Sequence, residues 1–115
     1  MIEVDIKKFI DDNLDYPAYM ELPGNLTGSC YIIEKLGGGR DEYIDTATVA
    51  IQTYAPSMYM AASASETMIN AMLTDFEALP NITKVELNSS YNYPDTKIKY
   101  YRYQAVFDIH YYGGN

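Results

Sequence analysis

The sequence contains no tryptophan, one cysteine (Cys30) and one histidine (His110). A single cysteine cannot form an internal disulfide, so we expect synthesis in a reducing cytoplasm. One cysteine and one histidine are too few ligands for a structural zinc site of the usual kind. They could pair as a nucleophile and its base, but Cys30 falls in an apolar segment, where cysteine usually acts as a small buried side chain. The sequence therefore predicts no metal site and no catalytic cysteine.

Basic residues are also scarce. Eight Lys and Arg face 16 Asp and Glu, which gives a formal net charge of −8. A protein that binds DNA or RNA neutralises phosphates with clustered Lys and Arg, and an anionic membrane surface makes a similar demand. We therefore expect no sequence-specific nucleic-acid binding and no membrane partner. The chain has no apolar run of 18 residues and no basic, apolar leader, so neither a membrane span nor a signal peptide is predicted.

Motifs for catalysis and phosphate binding are missing as well. The glycine run at residues 37–39 is followed by Arg40 instead of Lys-Ser/Thr, and by a predicted strand instead of the helix that a P-loop requires. Asp41 and Glu42 would repel a phosphate there. The acidic residues form no calcium loop, and neither G-x-S-x-G nor H-E-x-x-H occurs. We expect no enzymatic activity and no cofactor, and we interpret the glycine run as the flexible tip of a β-hairpin.

Hydrophobic periodicity predicts seven elements in the order α-β-β-β-α-β-β. The predicted helices cover residues 5–14 and 57–79, and the predicted strands cover residues 18–22, 30–36, 43–54, 82–91 and 98–112. Short connections favour antiparallel neighbours. The expected fold is an α+β, two-layer domain in which a long helix packs on one face of an antiparallel sheet. Residues 1–112 would form this single domain, and residues 113–115 a flexible C-terminal tail.

Tyrosine is abundant, with 13 copies, and many of them fall in or beside the last predicted hairpin. Tyr100 and Tyr112 share the polar face of the last strand with Arg102, and Tyr93 lies in the turn before it. A mixture of tyrosine and arginine favours a protein–protein contact. The β-propensity of tyrosine is a simpler explanation, and a carbohydrate or small-molecule groove is a further alternative. We predict that Tyr93, Tyr100, Arg102 and Tyr112 are interface residues.

Two segments resemble a known family. "GGGRDEYIDTATVAIQTYA" (residues 37–55), which leads into a helix, and "YRYQAVFDIHYY" (residues 101–112) are similar to segments of small tail-completion proteins of long-tailed bacteriophages. These proteins are sometimes labelled minor capsid proteins and look like relatives of the tail terminator of lambda-type tails. The resemblance implies a hexameric ring that ends tail-tube growth and presents a docking surface to the head. It also implies that Arg40, Asp41, Glu42 and the last hairpin lie at subunit or tube contacts.

The expected function is therefore that of a structural protein of a phage or prophage virion, a tail-terminator ring subunit. It would be made in the cytoplasm of the bacterial host and located in the tail or neck of the virion. Its expected partners are other copies of the chain, the tail-tube protein and a head-completion protein. Two alternatives stay open: an adaptor or stopper of the head–tail connector, and a small ligand-binding or enzymatic α+β domain.

Overall fold

The chain forms two α-helices and one five-stranded sheet in the computed structural model, which describes residues 1–94 and 97–113. The elements are α1 (Ile2–Asn13), β1 (Ala18–Tyr19), β2 (Cys30–Asp41), β3 (Ile44–Ala55), α2 (Met58–Ala71), a π-helical turn (Met72–Phe76), β4 (Ile82–Asn92) and β5 (Tyr101–Tyr111). The predicted turn at residues 92–96 and the predicted tail at residues 113–115 fall partly outside the described residues. Of the helices in those residues, none is long and apolar enough to span a membrane.

The sheet has the strand order β1-β2-β3-β5-β4. All neighbours pair antiparallel except β1 and β2, which run parallel through Ala18 and Tyr31. The predicted α+β class with a mostly antiparallel sheet is confirmed, but the antiparallel pairing expected between the first two strands is wrong. Residues 20–29 form a long connection with Gly28 in a left-handed conformation (φ 86°), and this length lets the chain return beside β1 in the same direction.

The largest cluster of buried side chains joins both helices to one face of the sheet. Three strands of the sheet contribute alternate residues, namely Tyr31, Ile33, Ala47, Val49, Ile51, Ala105, Phe107 and Ile109, and the other two contribute Ala18, Ile82 and Val85. The helical segments contribute Ile2, Ile6, Phe9, Ile10, Ala64, Met68, Met72 and Phe76. The rings of Phe9 and Phe76 meet edge to face at a centroid distance of 5.3 Å, so the two helical segments also pack on each other. The period-two alternation predicted for β3 and β5 is confirmed by this burial.

The second helical segment differs from the predicted continuous α-helix over residues 57–79. Ser57 caps α2, because its Oγ accepts a hydrogen bond of 3.2 Å from the amide of Met60. After Ala71 the chain widens into the π-helical turn. Residues spaced by four drift by about 40° per step around a regular α-helix. The wider turn reduces that drift and keeps Met72 and Phe76 on the buried side.

The two central strands give the domain an elongated shape of 44 × 23 × 23 Å. The sequence predicts a last strand over residues 98–112, too long for a small sheet. The observed β5 is shorter, with 11 residues, and β3, with 12 residues, pairs with it along its whole length. The length of the last strand is therefore accommodated within the sheet.

Candidate interface on the outer face of the sheet

The face of the sheet turned away from the main core is called here the outer face. It carries alternate residues of β3 and β5, which pair across the two strands: Thr46 with His110, Thr48 with Asp108, Ala50 with Val106, Gln52 with Gln104, and Tyr54 with Arg102. Ala50 and Val106 are buried in the middle of this face, between polar pairs on either side. The outer face is therefore a largely polar surface with a small apolar centre.

Hydrogen bonds between side chains cross the strands in two rows. In the first row, Thr48 Oγ1 donates to Asp108 Oδ1 at 2.9 Å, and Asn88 Nδ2 donates to the other carboxylate oxygen of Asp108 at 3.0 Å. In the second, Gln52 Nε2 donates to Gln104 Oε1 at 2.9 Å, and the amide of Gln104 donates to the hydroxyl of Tyr91. These bonds fix the side chains before any partner arrives, which lowers the entropy lost on binding.

Arg102 lies at the centre of an aromatic group, the Arg102 cluster, formed with Tyr54, Tyr91 and Tyr93. Its guanidinium carbon lies 4.1 Å from the ring centroid of Tyr93 and 5.6 Å from that of Tyr54. Its Nε donates to the carbonyl of Tyr93 at 2.6 Å, and Nη1 donates to the hydroxyl of Tyr54 at 3.0 Å. Tyr91 meets Tyr93 edge to face at 5.8 Å. The planar guanidinium can stack and donate at the same time, so it orders the rings around it.

Tyr91 and Tyr93 nevertheless stay 42% and 41% exposed. Large aromatic surfaces that are held in place and open to solvent are typical of protein interfaces. The structure therefore brings two of the predicted residues, Tyr93 and Arg102, into one group. Tyr54 completes this site and escaped the sequence-based prediction, because only the register of β3 with β5 places it beside Arg102.

The predicted interface residue Tyr100 is bonded to the loop before β2. Its hydroxyl accepts a hydrogen bond of 3.1 Å from the amide of Gly28 and donates one of 3.4 Å to the carbonyl of Leu26. The half-buried ring packs on a second small cluster that includes Cys30. Tyr100 thus fastens the loop before β2.

Burial raises the pKa of the Cys30 thiol from 9.0 to about 11, which opposes formation of a reactive thiolate.

The interpretation of the glycine run as a hairpin tip is wrong. Residues 37–39 lie inside β2, where they pair with β3, and the tip consists of Glu42 and Tyr43. A Cβ on Gly38 would lie 2.6 Å from the carbonyl oxygen of Thr46, so the two strands approach too closely there for any other residue. The left-handed conformation that the turn requires is adopted by Glu42, with φ 58°. Within the run, Gly38 serves close strand pairing instead of turning.

Arg40 forms an ion pair within its own hairpin. Its Nε donates to Asp45 Oδ1 at 2.7 Å, and both side chains remain partly exposed. Arg40 and Asp45 are register partners in β2 and β3.

Asp41, Glu42 and Tyr112 meet at the other end of the outer face. With Tyr43, Thr46 and His110 they line a cleft of about 430 Å³, called here the hairpin cleft. Arg102 and His110 are eight residues apart on β5, which corresponds to roughly 26 Å in an extended strand. The outer face therefore carries two separate patches, the Arg102 cluster near one end and the hairpin cleft near the other.

Across residues 1–94 and 97–113, no group of three or more His, Cys, Asp and Glu side chains is placed to hold a metal ion. No protein-family model matches the chain, and no curated protein matches it in sequence.

Proposed function

We propose that this chain is a structural subunit of a phage or prophage tail, and specifically a tail-terminator ring subunit that caps the tail tube and joins it to the head. The outer face is the observation that carries the proposal. It combines preordered polar rows with exposed tyrosines around Arg102, a composition and rigidity that suit protein–protein contact. The proposal includes the finer architecture expected for such a subunit, in which one long helix lies across one face of the sheet.

The edges of the sheet support assembly into a closed ring. The short β1 pairs only with Tyr31 and Ile32 of β2, and among the described residues no other strand pairs with the outer edges of β2 or β4. An unpaired strand edge can accept a strand from another chain. Two different edges meeting from copy to copy make a head-to-tail contact, which closes into a ring when the rotation fits.

The acidic charge suits a ring that surrounds DNA without binding it. A net charge of −8 per chain repels the phosphate backbone, so DNA could pass through the centre freely. In this proposal the partners are other copies of the chain, the tail-tube protein and a head-completion protein, and the location is the tail or neck of the virion.

Native mass spectrometry and negative-stain microscopy of the 13.0 kDa chain, alone and with tail-tube protein, test the proposal. We expect a ring of defined mass, probed further by two matched variants. Gln52→Arg adds a large charge to the outer face and should block assembly, whereas Asn70→Arg adds the same charge on α2 and should not. Only monomers in the presence of tail-tube protein would refute the ring. Binding to a portal-side protein in place of the tail-tube protein would indicate the adaptor or stopper.

The hairpin cleft favours a second candidate, a small ligand-binding domain. Its volume of about 430 Å³ falls in the range of small-molecule sites, and tyrosine, histidine and carboxylate side chains line it. A thermal-shift screen with sugars, nucleotides and metal ions distinguishes the two candidates. A ligand that stabilises the protein, and no longer does so in Tyr112→Ala, would favour the binding domain.

A further inference from the structure

A separate pocket lies between the residues that follow α1 and the first turns of α2. It has a volume of about 210 Å³, and its lining includes Asp15, Tyr16, Tyr31, Tyr59, Met60 and Thr67. The pocket is called here the tyrosine pocket. It shares no lining residue with the hairpin cleft or the Arg102 cluster, so it is independent of the candidate interface.

Three tyrosines line this pocket, and their solvent exposure increases from Tyr31 through Tyr16 to Tyr59. Tyr31 is 1% exposed, and its hydroxyl donates to the carbonyl of Ala64 at 3.2 Å. The ring of Tyr16 is tilted by 47° to that of Tyr31, at a centroid distance of 6.3 Å. Tyr59 is 82% exposed and stands at the mouth. Aromatic rings at the mouth of a pocket can offer their negative faces to a cation.

The charge at the pocket is negative. Within the described part of the chain, Asp15 has neither a hydrogen-bond partner nor an ion-pair partner. Burial raises the pKa of Tyr31, and Tyr16 and the carboxylate of Asp15 raise it further, which indicates that the field of Asp15 reaches the inner tyrosine. The last turn of α1 carries no basic residue to offset the negative end of its dipole. The positive end of α2 opposes this field, although Ser57 caps it.

We infer that the tyrosine pocket binds a lysine or arginine side chain of a different protein, with the cation held between the rings of Tyr16 and Tyr59 and the carboxylate of Asp15. An aromatic group with an adjacent unpaired carboxylate is the chemistry that recognises organic cations. The net charge of −8 attracts a basic partner at long range. Several of the chain's own basic side chains are held in ion pairs, among them Lys7, Lys8, Arg40 and Lys84. The inference does not depend on the proposed tail function.

Titration of ¹⁵N-labelled protein with Nα-acetyl-lysine methylamide, followed by NMR, tests the inference. The amide signals of Tyr16, Tyr59 and Thr67 should shift and saturate, with a dissociation constant of roughly millimolar size because one ion pair and one cation–π contact are each weak. Asp15→Asn and Tyr59→Ala should each weaken binding about two- to fivefold. Matched controls are Asp75→Asn and Tyr101→Ala, at exposed positions outside the tyrosine pocket, the hairpin cleft and the Arg102 cluster. Both controls should bind the probe unchanged.

Four results would overturn the inference. The first is the absence of saturable shifts with the lysine probe. The second is an equal response to Nα-acetyl-norleucine methylamide, which would make the site an apolar groove. The third is a response to acetate, which would make it an anion site. The fourth is a concentration-dependent shift of the same signals without any probe that disappears in Lys35→Gln/Lys99→Gln, which would assign the pocket to a second copy of this chain.

Discussion

Arg40 donates a hydrogen bond of 2.7 Å from its Nε to Oδ1 of Asp45, the residue directly opposite it in the β2–β3 hairpin. The charge of this arginine is therefore already paired within one chain. A contact from Arg40 to acidic groups on another subunit would have to share the guanidinium with Asp45 or replace it. The pair is partly exposed, so its net contribution to stability is about 1 kcal/mol at most.

Arg40→Glu should weaken assembly with a partner while changing the stability of the monomer only slightly. Opposed carboxylates at positions 40 and 45 should lower the free energy of unfolding by about 0.5–1 kcal/mol, which corresponds to a fall of about 2–4 °C in Tm. Calorimetry and native mass spectrometry measure the two effects. The swapped pair Arg40→Asp/Asp45→Arg should recover the Tm but not the assembly. Unchanged assembly in Arg40→Glu would leave Arg40 with a role inside the hairpin alone.

Gly38→Ala should destabilise the protein, whereas Gly37→Ala should not. The new Cβ at position 38 would meet the Thr46 carbonyl at 2.6 Å, and relieving that contact should cost about 1–3 kcal/mol. At position 37 a Cβ meets nothing within 4 Å, so alanine there should be neutral or stabilise by up to about 1 kcal/mol through the unfolded state. Urea unfolding of both variants measures the difference. Equal stabilities would contradict the close approach of β2 and β3.

Arg102→Lys should destabilise the fold more than Arg40→Lys. Lysine keeps the charge but cannot stack as a plane on Tyr93 while it donates to Tyr54, so we expect a loss of about 1–2 kcal/mol. Arg40 makes a single ion pair that lysine can reproduce, with an expected change below about 0.5 kcal/mol. Chemical denaturation of both variants measures the two losses of stability. The same loss in both variants would argue against a special role for the guanidinium plane.

Cys30 should react slowly with thiol reagents in the native protein. A pKa of about 11 leaves about 100-fold less thiolate at pH 8 than a thiol with the ordinary value of 9.0. Because the folded-state pKa is raised, its contribution to stability is fully present below pH 9 and is lost as the pH rises towards 11. Labelling with Ellman's reagent at pH 8, with and without urea, measures the ratio. Equal labelling rates in the native and the unfolded protein would show a reactive thiol and would support a catalytic role for Cys30.

Periodic burial made much of this fold predictable, because local sequence alone decides which side of an amphipathic segment is apolar. The burial of Ala47, Val49 and Ile51 on one face of β3 is an example. The hairpin tip predicted at the glycine run was wrong, because glycine permits close strand pairing as readily as a turn. Only the register of Gly38 against β3 distinguishes these two roles.

The candidate site was less predictable because it depends on contacts between distant parts of the chain. Tyr54 and Arg102 are 48 residues apart in sequence, and only the pairing of β3 with β5 brings them together. Tyr100 has the same residue type as Tyr93, yet it bonds to the loop at Gly28 instead of joining the exposed aromatic group. Residue type indicates which contacts a side chain can form, and the topology of the sheet decides which of those contacts it does form.

The π-helical turn at Met72–Phe76 decides which side chains of this segment face the core, so the packing depends on the number of residues in the turn. The i→i+5 bonds of a π-helical turn enclose one residue more than the i→i+4 bonds of an α-helix, so removing one residue from this turn would restore a regular α-helix without a full residue's rotation of the chain after it. Phe76 would then remain close to Phe9. Among relatives of this chain, a single-residue gap at this position should therefore occur with both aromatic positions retained.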